Sequence, residues 1–386
     1  MDSDQLRAGL ATTALAFRGY NVRNLGRSHE LLVHQQYGSI VRQHLSAASQ
    51  LAADLLERPV DLISQVESQK ETTLERYGEA VALLTAMELA QLEILRECFD
   101  VDYQQCQLAF GYSLGEITAL VTAGVFSLRD ALAVPLSLEK DCVSLAEDVT
   151  LGILFSRGET IEHERVNRAL IAINQQAQGV IGVSAILSPN SLLLLGQADT
   201  LDRLYEALNE ERPRQLVLRK NKDSWPPLHC PIVWQRQVPD HAAQAMLTLS
   251  SGNTAPTYPV LSLVTGQVDY TATNCRDHMR HWVDHPQLLW EAIYQTLKGG
   301  TETVVHIGPA PNIIPSTYQR LSSNIETHMK SNLGMRMLSA VAQRPWLNKV
   351  LPDRAALLRA PSIQHVVLED WLLDMPADED PAVEAG

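Results

Sequence analysis

Phe110-Gly111-Tyr112-Ser113-Leu114-Gly115-Glu116 is the most informative segment of the chain. It contains the pattern Gly-x-Ser-x-Gly, in which a serine stands between two residues that lack side chains. Residues 108–110 form an apolar approach, and residues 117–123 are apolar or small at helical spacing. A sharp turn between a strand and a helix needs such small residues, because they avoid a Cβ clash. The pattern therefore predicts a nucleophile elbow from which the Ser113 hydroxyl projects.

A serine in such a turn has two interpretations. In the first, its hydroxyl lies at the N-terminus of the following helix, where unpaired N–H groups and the helix dipole stabilise a developing oxyanion. In the second, the serine only caps the helix within a glycine-punctuated loop. The apolar run before the serine and the helical pattern after it favour the first interpretation.

The elbow resembles that of a known family. Residues 111–125 read GYSLGEITALVTAGV and are similar to the GHSLGE elbow and helix of malonyl-CoA:acyl-carrier-protein transacylases and polyketide synthase acyltransferase domains. Three further segments follow in the family's order: FRGY at 17–20, LHCP at 228–231 and HIGP at 306–309. The resemblance covers about residues 12–325 and identifies the chain as a divergent member of that family.

The resemblance implies an α/β fold, with an α/β-hydrolase-like main domain around a central parallel sheet and an inserted ferredoxin-like small subdomain. Residues 1–148 and 220–325 would form the acyltransferase domain. Residues 149–219 would form the insert, and their short apolar runs and helical stretches fit a β-α-β-β-α-β order. Residues 326–373 are predicted to be a C-terminal extension packing on the main domain, and 374–386 an acidic disordered tail.

The resemblance also implies the catalytic roles. Ser113 would be the nucleophile, and His229 would take its proton as the general base that a weak hydroxyl nucleophile requires. On its own, a histidine among prolines and apolar residues is more often a core residue; only its place in the family pattern reverses this. The backbone N–H groups of Leu114 and Tyr20 would form the oxyanion hole, although the family's GQGSQ loop is otherwise replaced. No acid that orients the histidine is identified.

Three positions are expected to shape an acyl pocket: Tyr112, Leu138 and Leu187. By alignment without gaps from the elbow, Leu138 stands where malonyl-handling members carry an arginine that pairs with the substrate carboxylate. Leu187 likewise stands in place of an asparagine that faces the substrate. A leucine cannot replace a bidentate guanidinium, so an apolar acyl group is expected rather than malonyl. Lys140 and Arg18 remain as alternative partners for a carboxylate.

A basic segment precedes the histidine. Residues 212–222 contain five basic residues, namely Arg212, Arg214, Arg219, Lys220 and Lys222. Such a run is often a solvated surface. The alternative is a docking surface for acyl carrier protein, because these carriers are typically acidic and a local basic patch would steer one towards the site.

The composition limits which partners, compartments and metal sites are possible. The chain has 386 residues, 45% of them hydrophobic, and a net charge of −14, which argues against binding to nucleic acid. No apolar run approaches a membrane span and the start lacks the form of a signal peptide, so a cytoplasmic protein without a membrane partner is expected. Five cysteines without CxxC spacing suggest neither disulfides nor a thiolate metal site. His281 and His285 would share a helical face, but give only a weak zinc signal.

The sequence thus predicts an acyltransferase that moves an acyl group from acyl-CoA to acyl carrier protein through a serine acyl-enzyme, in fatty-acid or polyketide biosynthesis. No metal or redox cofactor is expected, and acyl-CoA is a substrate. Two alternatives remain: an acyl hydrolase in which water replaces the carrier thiol, and a catalytically degraded scaffold of a synthase complex.

Overall fold

The computed structural model describes residues 1–157, 159–211, 216–334 and 355–375. The helices are α1 (Ser3–Ala8), α2 (Ser28–Val33), α3 (Gly38–Leu56), α4 (Leu62–Glu67), α5 (Tyr77–Phe99), α6 (Leu114–Thr122), α7 (Leu128–Ser137), α8 (Glu139–Ala146), α9 (His163–Asn174), α10 (Thr200–Glu211), α11 (Val238–Leu247), α12 (Cys275–Trp282), α13 (Leu289–Lys298), α14 (Ile313–Gly334) and α15 (Leu368–Asp374). Short 3-10 helices span Leu10–Thr12, Leu74–Arg76, Tyr103–Gln105, Pro231–Arg236 and Ala355–Ser362.

The strands form two sheets. They are β1 (Thr13–Phe17), β2 (Leu108–Gly111), β3 (Val149–Ser156), β4 (Ile181–Ser188), β5 (Ser191–Gln197), β6 (Leu216–Ser224), β7 (Val260–Leu261), β8 (Thr303–Ile307) and β9 (Gln364–Val367). The larger sheet has the order β7-β2-β1-β8-β9 and every neighbouring pair is parallel. The smaller sheet has the order β4-β5-β3-β6 and is antiparallel. The predicted α/β class with a central parallel sheet is confirmed.

The parallel sheet brings three loops to one edge. Every residue of β1, β2 and β8 is buried, as expected of parallel strands covered on both faces. In the register of these strands, Phe17 pairs with both Gly111 and Ile307. Because the strands are parallel, the loops that follow them leave from the same edge, which is where open α/β sheets place their ligands. The elbow is one of these loops.

The insert has the predicted ferredoxin-like element order, with α9 between β3 and β4 and α10 between β5 and β6. Side chains alternate between the two faces of this sheet along each strand. On β5, Leu192 and Leu194 pack in a core with α9 and α10, whereas Leu193 and Leu195 face the main domain. Strand β6 continues to Ser224, past the predicted domain boundary at residue 219.

The described part of the C-terminal extension adds an edge to the parallel sheet. Strand β9 pairs with β8 from Thr303 to His306. Helix α14 runs continuously through the predicted boundary at 325/326. The predicted tail beyond residue 375 and residues 335–354 of the extension lie outside the described residues. Among the helices described, none combines the length and apolar character needed to span a membrane.

Candidate active site

The turn between β2 and α6 is a strained elbow. Ser113 has φ 54° and ψ −116°, a backbone conformation that non-glycine residues rarely adopt and that marks functional sites. A Cβ added at Gly111 would lie less than 3.0 Å from the Gly115 backbone, and one at Gly115 would lie equally close to the carbonyls of Phe17 and Arg18. No side chain fits at either flanking glycine, so the Gly-x-Ser-x-Gly pattern has a steric basis here.

Ser113 and His229 form a hydrogen-bonded dyad. The serine Oγ lies 2.6 Å from His229 Nε2, and His229 Nδ1 lies 2.6 Å from the carbonyl oxygen of Trp282. Since a carbonyl only accepts, Nδ1 carries the proton and Nε2 is left to accept the serine proton. The histidine backbone is fixed as well, because its N–H donates to the Val283 carbonyl at 2.8 Å. A main-chain carbonyl thus orients the base.

Two side chains of one segment form hydrogen bonds with the backbone of Ser113. Gln287 Oε1 accepts the Ser113 N–H at 3.0 Å, and Trp282 Nε1–H donates to the Ser113 carbonyl at 2.9 Å. Gln287 is fully buried, and its Nε2 lies 3.4 Å from His229 Nδ1. Sequence reasoning missed Gln287. It belongs to none of the motifs quoted above, so the sequence carried no signal for it.

Burial sets the proton affinity of the base. It lowers the pKa of His229 to about 4, against smaller opposing effects of the Trp282 carbonyl and Asp284. A neutral imidazole at physiological pH is the form that can accept the serine proton.

The N–H groups predicted to form the oxyanion hole belong to two neighbouring loops. A Cβ at Gly19 would lie 2.5 Å from the Tyr112 carbonyl, so the loop after β1 lies directly against the elbow. Within the described residues, neither the Leu114 nor the Tyr20 N–H donates to another backbone group. Leu114 is also the first residue of α6, where N–H groups lack partners within the helix. Their role as the oxyanion hole stays a prediction.

A cavity of about 300 Å³ opens at the dyad, between the carboxyl edge of the parallel sheet and the insert. Ser113 and His229 both line it. The insert contributes an apolar wall made of Leu151, Ile153, Leu187, Leu193 and Leu195. Aromatic side chains contribute another part of the lining, namely Tyr20, Tyr77, Tyr112 and Trp225. A small molecule with an apolar part would therefore be well enclosed beside the nucleophile.

Comparisons with known proteins point to one group of transferases. No protein-family model matches the chain. It is 25% identical over 309 residues to a highly reducing polyketide synthase of Alternaria alternata, and 23% identical over 308 residues to a 6-methylsalicylic acid synthase of Arthrobotrys oligospora. These matches cover 74% and 78% of the chain, but only 11% and 16% of the two synthases.

Solved structures show the same likeness. The malonyl-CoA:acyl carrier protein transacylase of Xanthomonas oryzae matches with a TM-score of 0.63 at 23% identity, over 80% of this chain and 90% of that one. The acyltransferase domain from the second module of the salinomycin polyketide synthase matches with a TM-score of 0.61 at 22% identity, over 79% and 65%. The chain has the transacylase fold. The predicted resemblance to this family is confirmed.

A third structure shows a malonyl-transacylase in complex with the acyl carrier protein of a type II polyketide synthase. It matches with a TM-score of 0.61 at 18% identity, over 80% of this chain and 92% of that one.

Within this transacylase fold, Leu138 does not have its predicted place. Tyr112 and Leu187 line the cavity, but Leu138 lies outside its lining and is buried in the core at the junction of α7 and α8. The alignment places a residue along the chain, whereas the break between two helices decides where its side chain points. Leu138 therefore gives no contact to an acyl group in the cavity.

Neither alternative partner for a carboxylate is available in the cavity. Lys140 is exposed and lies outside the lining. Arg18 lines the cavity, but its buried guanidinium donates to the carbonyls of Gly19 at 3.0 Å and Arg23 at 3.1 Å, and also to that of Pro309. Burial lowers the pKa of Arg18 to about 10, so it remains charged at neutral pH. Its donors are used to hold the loop after β1.

The described part of the basic segment lies beside the cavity mouth. Arg219, Lys220 and Lys222 are exposed on β6, and Asn221 between them lines the cavity. Lys220 is paired with Asp202 at 2.5 Å. Arg212 and Arg214 lie outside the described residues.

No group of three or more metal-binding side chains is present in the described part of the chain. The His281 and His285 rings do lie 4.6 Å apart. Asp277 lies near His281, and Asp284 lies near His285, so the two histidines share neither carboxylate. The weak zinc signal therefore gains no third ligand.

Proposed function

We propose that the chain is an acyltransferase that moves an acyl group from acyl-CoA to the phosphopantetheine thiol of an acyl carrier protein, in fatty-acid or polyketide biosynthesis in the cytoplasm. The observation that carries the proposal is the Ser113–His229 dyad at 2.6 Å, with the serine on a strained elbow and both residues lining one cavity. A degraded scaffold would not need this geometry.

The reaction proceeds in two half-reactions. The Ser113 oxygen attacks the thioester carbonyl while His229 Nε2 takes the serine proton, and the resulting imidazolium returns it to the departing CoA thiolate. The carrier thiol then gives its proton to His229 and attacks the serine ester, and the imidazolium returns that proton to Ser113. Backbone N–H groups of Leu114 and Tyr20 would stabilise the tetrahedral oxyanion in both steps.

The acyl group is proposed to be largely apolar rather than malonyl. The insert supplies five aliphatic side chains to the lining, and the Arg18 guanidinium is engaged by main-chain carbonyls. The other arginine of the lining, Arg320, is exposed, so a carboxylate held against the aliphatic wall would lack a buried cationic partner, at a cost of several kcal/mol. This argument replaces the one from Leu138, because that residue lies elsewhere.

The carrier protein is proposed to approach over β6. Strand β6 presents exposed Arg219 and Lys222 beside the cavity, in addition to Lys220, which pairs with Asp202, and such cations suit an acidic partner in a chain whose net charge is −14. The complex of a malonyl-transacylase with its carrier protein shows that a protein of this fold binds such a partner.

Intact-protein mass spectrometry after mixing with acetyl-, hexanoyl-, octanoyl- and malonyl-CoA tests the proposal. We expect a mass increase of one acyl group that is absent in Ser113→Ala and present in Ser316→Ala, a matched serine that also lines the cavity. An adduct that persists in Ser113→Ala would contradict the proposal. Adding a phosphopantetheinylated carrier protein then separates transfer from hydrolysis, because transfer moves the mass to the carrier and hydrolysis releases free acid.

A further inference from the structure

Two of the five buried tyrosines in the described chain have a hydroxyl without a hydrogen-bond partner. The buried tyrosines are Tyr37, Tyr77, Tyr112, Tyr258 and Tyr318. Tyr37 donates to the Leu372 carbonyl at 3.2 Å, and the hydroxyls of Tyr258 and Tyr318 bond to threonine hydroxyls. Tyr77 and Tyr112 are only 1% and 9% exposed, yet neither hydroxyl has a hydrogen-bond partner among the described residues. These two, unlike the other three, line the cavity.

Neither hydroxyl is among the fully enclosed side-chain atoms of the described residues that lack a partner, so both hydroxyls reach the cavity that these residues line. Tyrosines that are buried usually pair their O–H group, and a molecule in the cavity can supply that pairing. Burial raises the pKa of both phenols well above the ordinary value, so both remain protonated donors at physiological pH. The Trp225 indole N–H lines the same cavity and also lacks a partner, and several unpaired donors in one cavity are the arrangement expected when the partner is a ligand.

Both side chains line the cavity into which the reacting serine faces. Tyr112 precedes Ser113 directly, and its ring lies 2.9 Å from the position of a Cβ at Gly19. Tyr77 packs edge-on against Tyr20, with ring centroids 5.1 Å apart, and Tyr20 also lines the cavity without a hydrogen bond from its hydroxyl. The tyrosines are therefore part of a mixed lining, which also includes polar side chains such as Asn21, Ser184 and Asn312.

We infer that the acyl group carries a neutral oxygen function, an oxo or a hydroxyl group, which accepts hydrogen bonds from Tyr77 and Tyr112. This inference rests on the proposed function and specifies its substrate class. Neutral phenol donors suit a neutral acceptor, because their pairing leaves no buried charge. A site built to bond a substrate oxygen also rejects the analogue that lacks it, because its own polar groups are then left unpaired.

The first measurement compares the rates at which hexanoyl-, 3-hydroxyhexanoyl-, 3-oxohexanoyl- and malonyl-CoA acylate Ser113, followed by intact mass. We expect at least one of the two oxygenated donors to react about tenfold or more faster than hexanoyl-CoA, because only an oxygenated acyl group can pair the phenol donors in the transition state. In Tyr77→Phe and Tyr112→Phe this ratio should fall towards one. In Tyr37→Phe, a buried tyrosine away from the cavity, it should not change. Equal rates for all neutral donors, or a preference for malonyl-CoA, would overturn the inference.

Two controls separate this inference from the proposed function and from misfolding. Calorimetric binding of the same thioesters to Ser113→Ala needs no acyl-enzyme, so a tighter affinity for the oxygenated donors would support the inference even if no donor acylates the wild type. Equal affinities would overturn it. Thermal unfolding checks the fold: Tyr77→Phe removes an unpaired hydroxyl and should keep the Tm, whereas Tyr37→Phe loses a hydrogen bond and should lower it. A Tm loss in Tyr77→Phe as large as in Tyr37→Phe would indicate a structural hydroxyl and count against the inference.

Discussion

His229 combines a left-handed backbone conformation, φ 66°, with an apolar shell that leaves it 4% exposed. Burial lowers its pKa to about 4, so the neutral base persists to lower pH than in an ordinary histidine. The acylation rate should therefore be nearly constant from pH 5 to 8 and fall by half only near pH 4. An unperturbed histidine, with a pKa of about 6.5, would be about 97% protonated at pH 5 and nearly inactive.

Single-turnover acylation, quenched and read by mass across this pH range, checks the expectation. Circular dichroism at each pH supplies the control that the chain is folded. A midpoint near pH 6.5 with a folded protein would show that the histidine is hydrated and that the site is more open than the structure indicates.

At the residue scale, the sequence could predict Ser113 and His229 because each stands in a short pattern with a fixed geometric meaning. The steric demand on Gly111 and Gly115 is local, so it survives in a divergent chain. Leu138 lies outside the cavity lining, at the point where α7 ends and α8 begins, and spacing along the chain does not determine where that break falls.

The segment from Trp282 to Gln287 acts as one element in the site. It supplies the carbonyl that orients the base, an indole N–H for the Ser113 carbonyl and an amide oxygen for the Ser113 N–H. Gln287→Val removes the acceptor and leaves a partly buried N–H unpaired, at a cost of about 1–3 kcal/mol. If that cost falls on the transition state, the acylation rate should drop about tenfold or more.

Gln287→Glu distinguishes positioning from a merely structural role. The carboxylate still accepts the Ser113 N–H, but it places a negative charge near His229 Nδ1, where the amide nitrogen now lies at 3.4 Å. A nearby negative charge raises the pKa of a histidine, so the pH midpoint of acylation should move upward while the rate at pH 8 is largely retained. An unchanged midpoint together with a lower Tm would assign Gln287 to stability alone.

At the element scale, the insert could be predicted because its strands and helices alternate within one contiguous segment. The end of β6 could not be predicted, because residues 220–224 are polar and extend the strand only through pairing with β3. The C-terminal strand was missed for the same reason. Its apolar segment was expected only to pack, and β8 is the partner that makes residues Gln364–Val367 a strand.

On the scale of the whole molecule, the C-terminal segment is joined to the catalytic edge of the sheet. Glu369 of α15 is 3% exposed and accepts the N–H of Arg27 at 2.9 Å and that of Ala310 at 2.5 Å. These groups belong to the loops after β1 and β8, the same loops whose carbonyls the Arg18 guanidinium binds. The divergent end of the chain thus fixes loops that border the site, although it lies outside the family resemblance.

Removing this carboxylate should destabilise the protein far more than removing its neighbour. Glu369→Ala leaves two N–H groups without their charged acceptor, and we expect a loss of about 2–4 kcal/mol in the free energy of unfolding, measured by urea denaturation. Asp370→Ala is the matched control: its carboxylate pairs with Arg27 at 3.0 Å, but it is half exposed, and such pairs contribute about 0–1 kcal/mol. Similar losses in both variants would mean that α15 contributes only surface charge. A selective loss in Glu369→Ala, accompanied by slower acylation in the folded fraction, would show that the C-terminal segment supports the site through the two loops it binds.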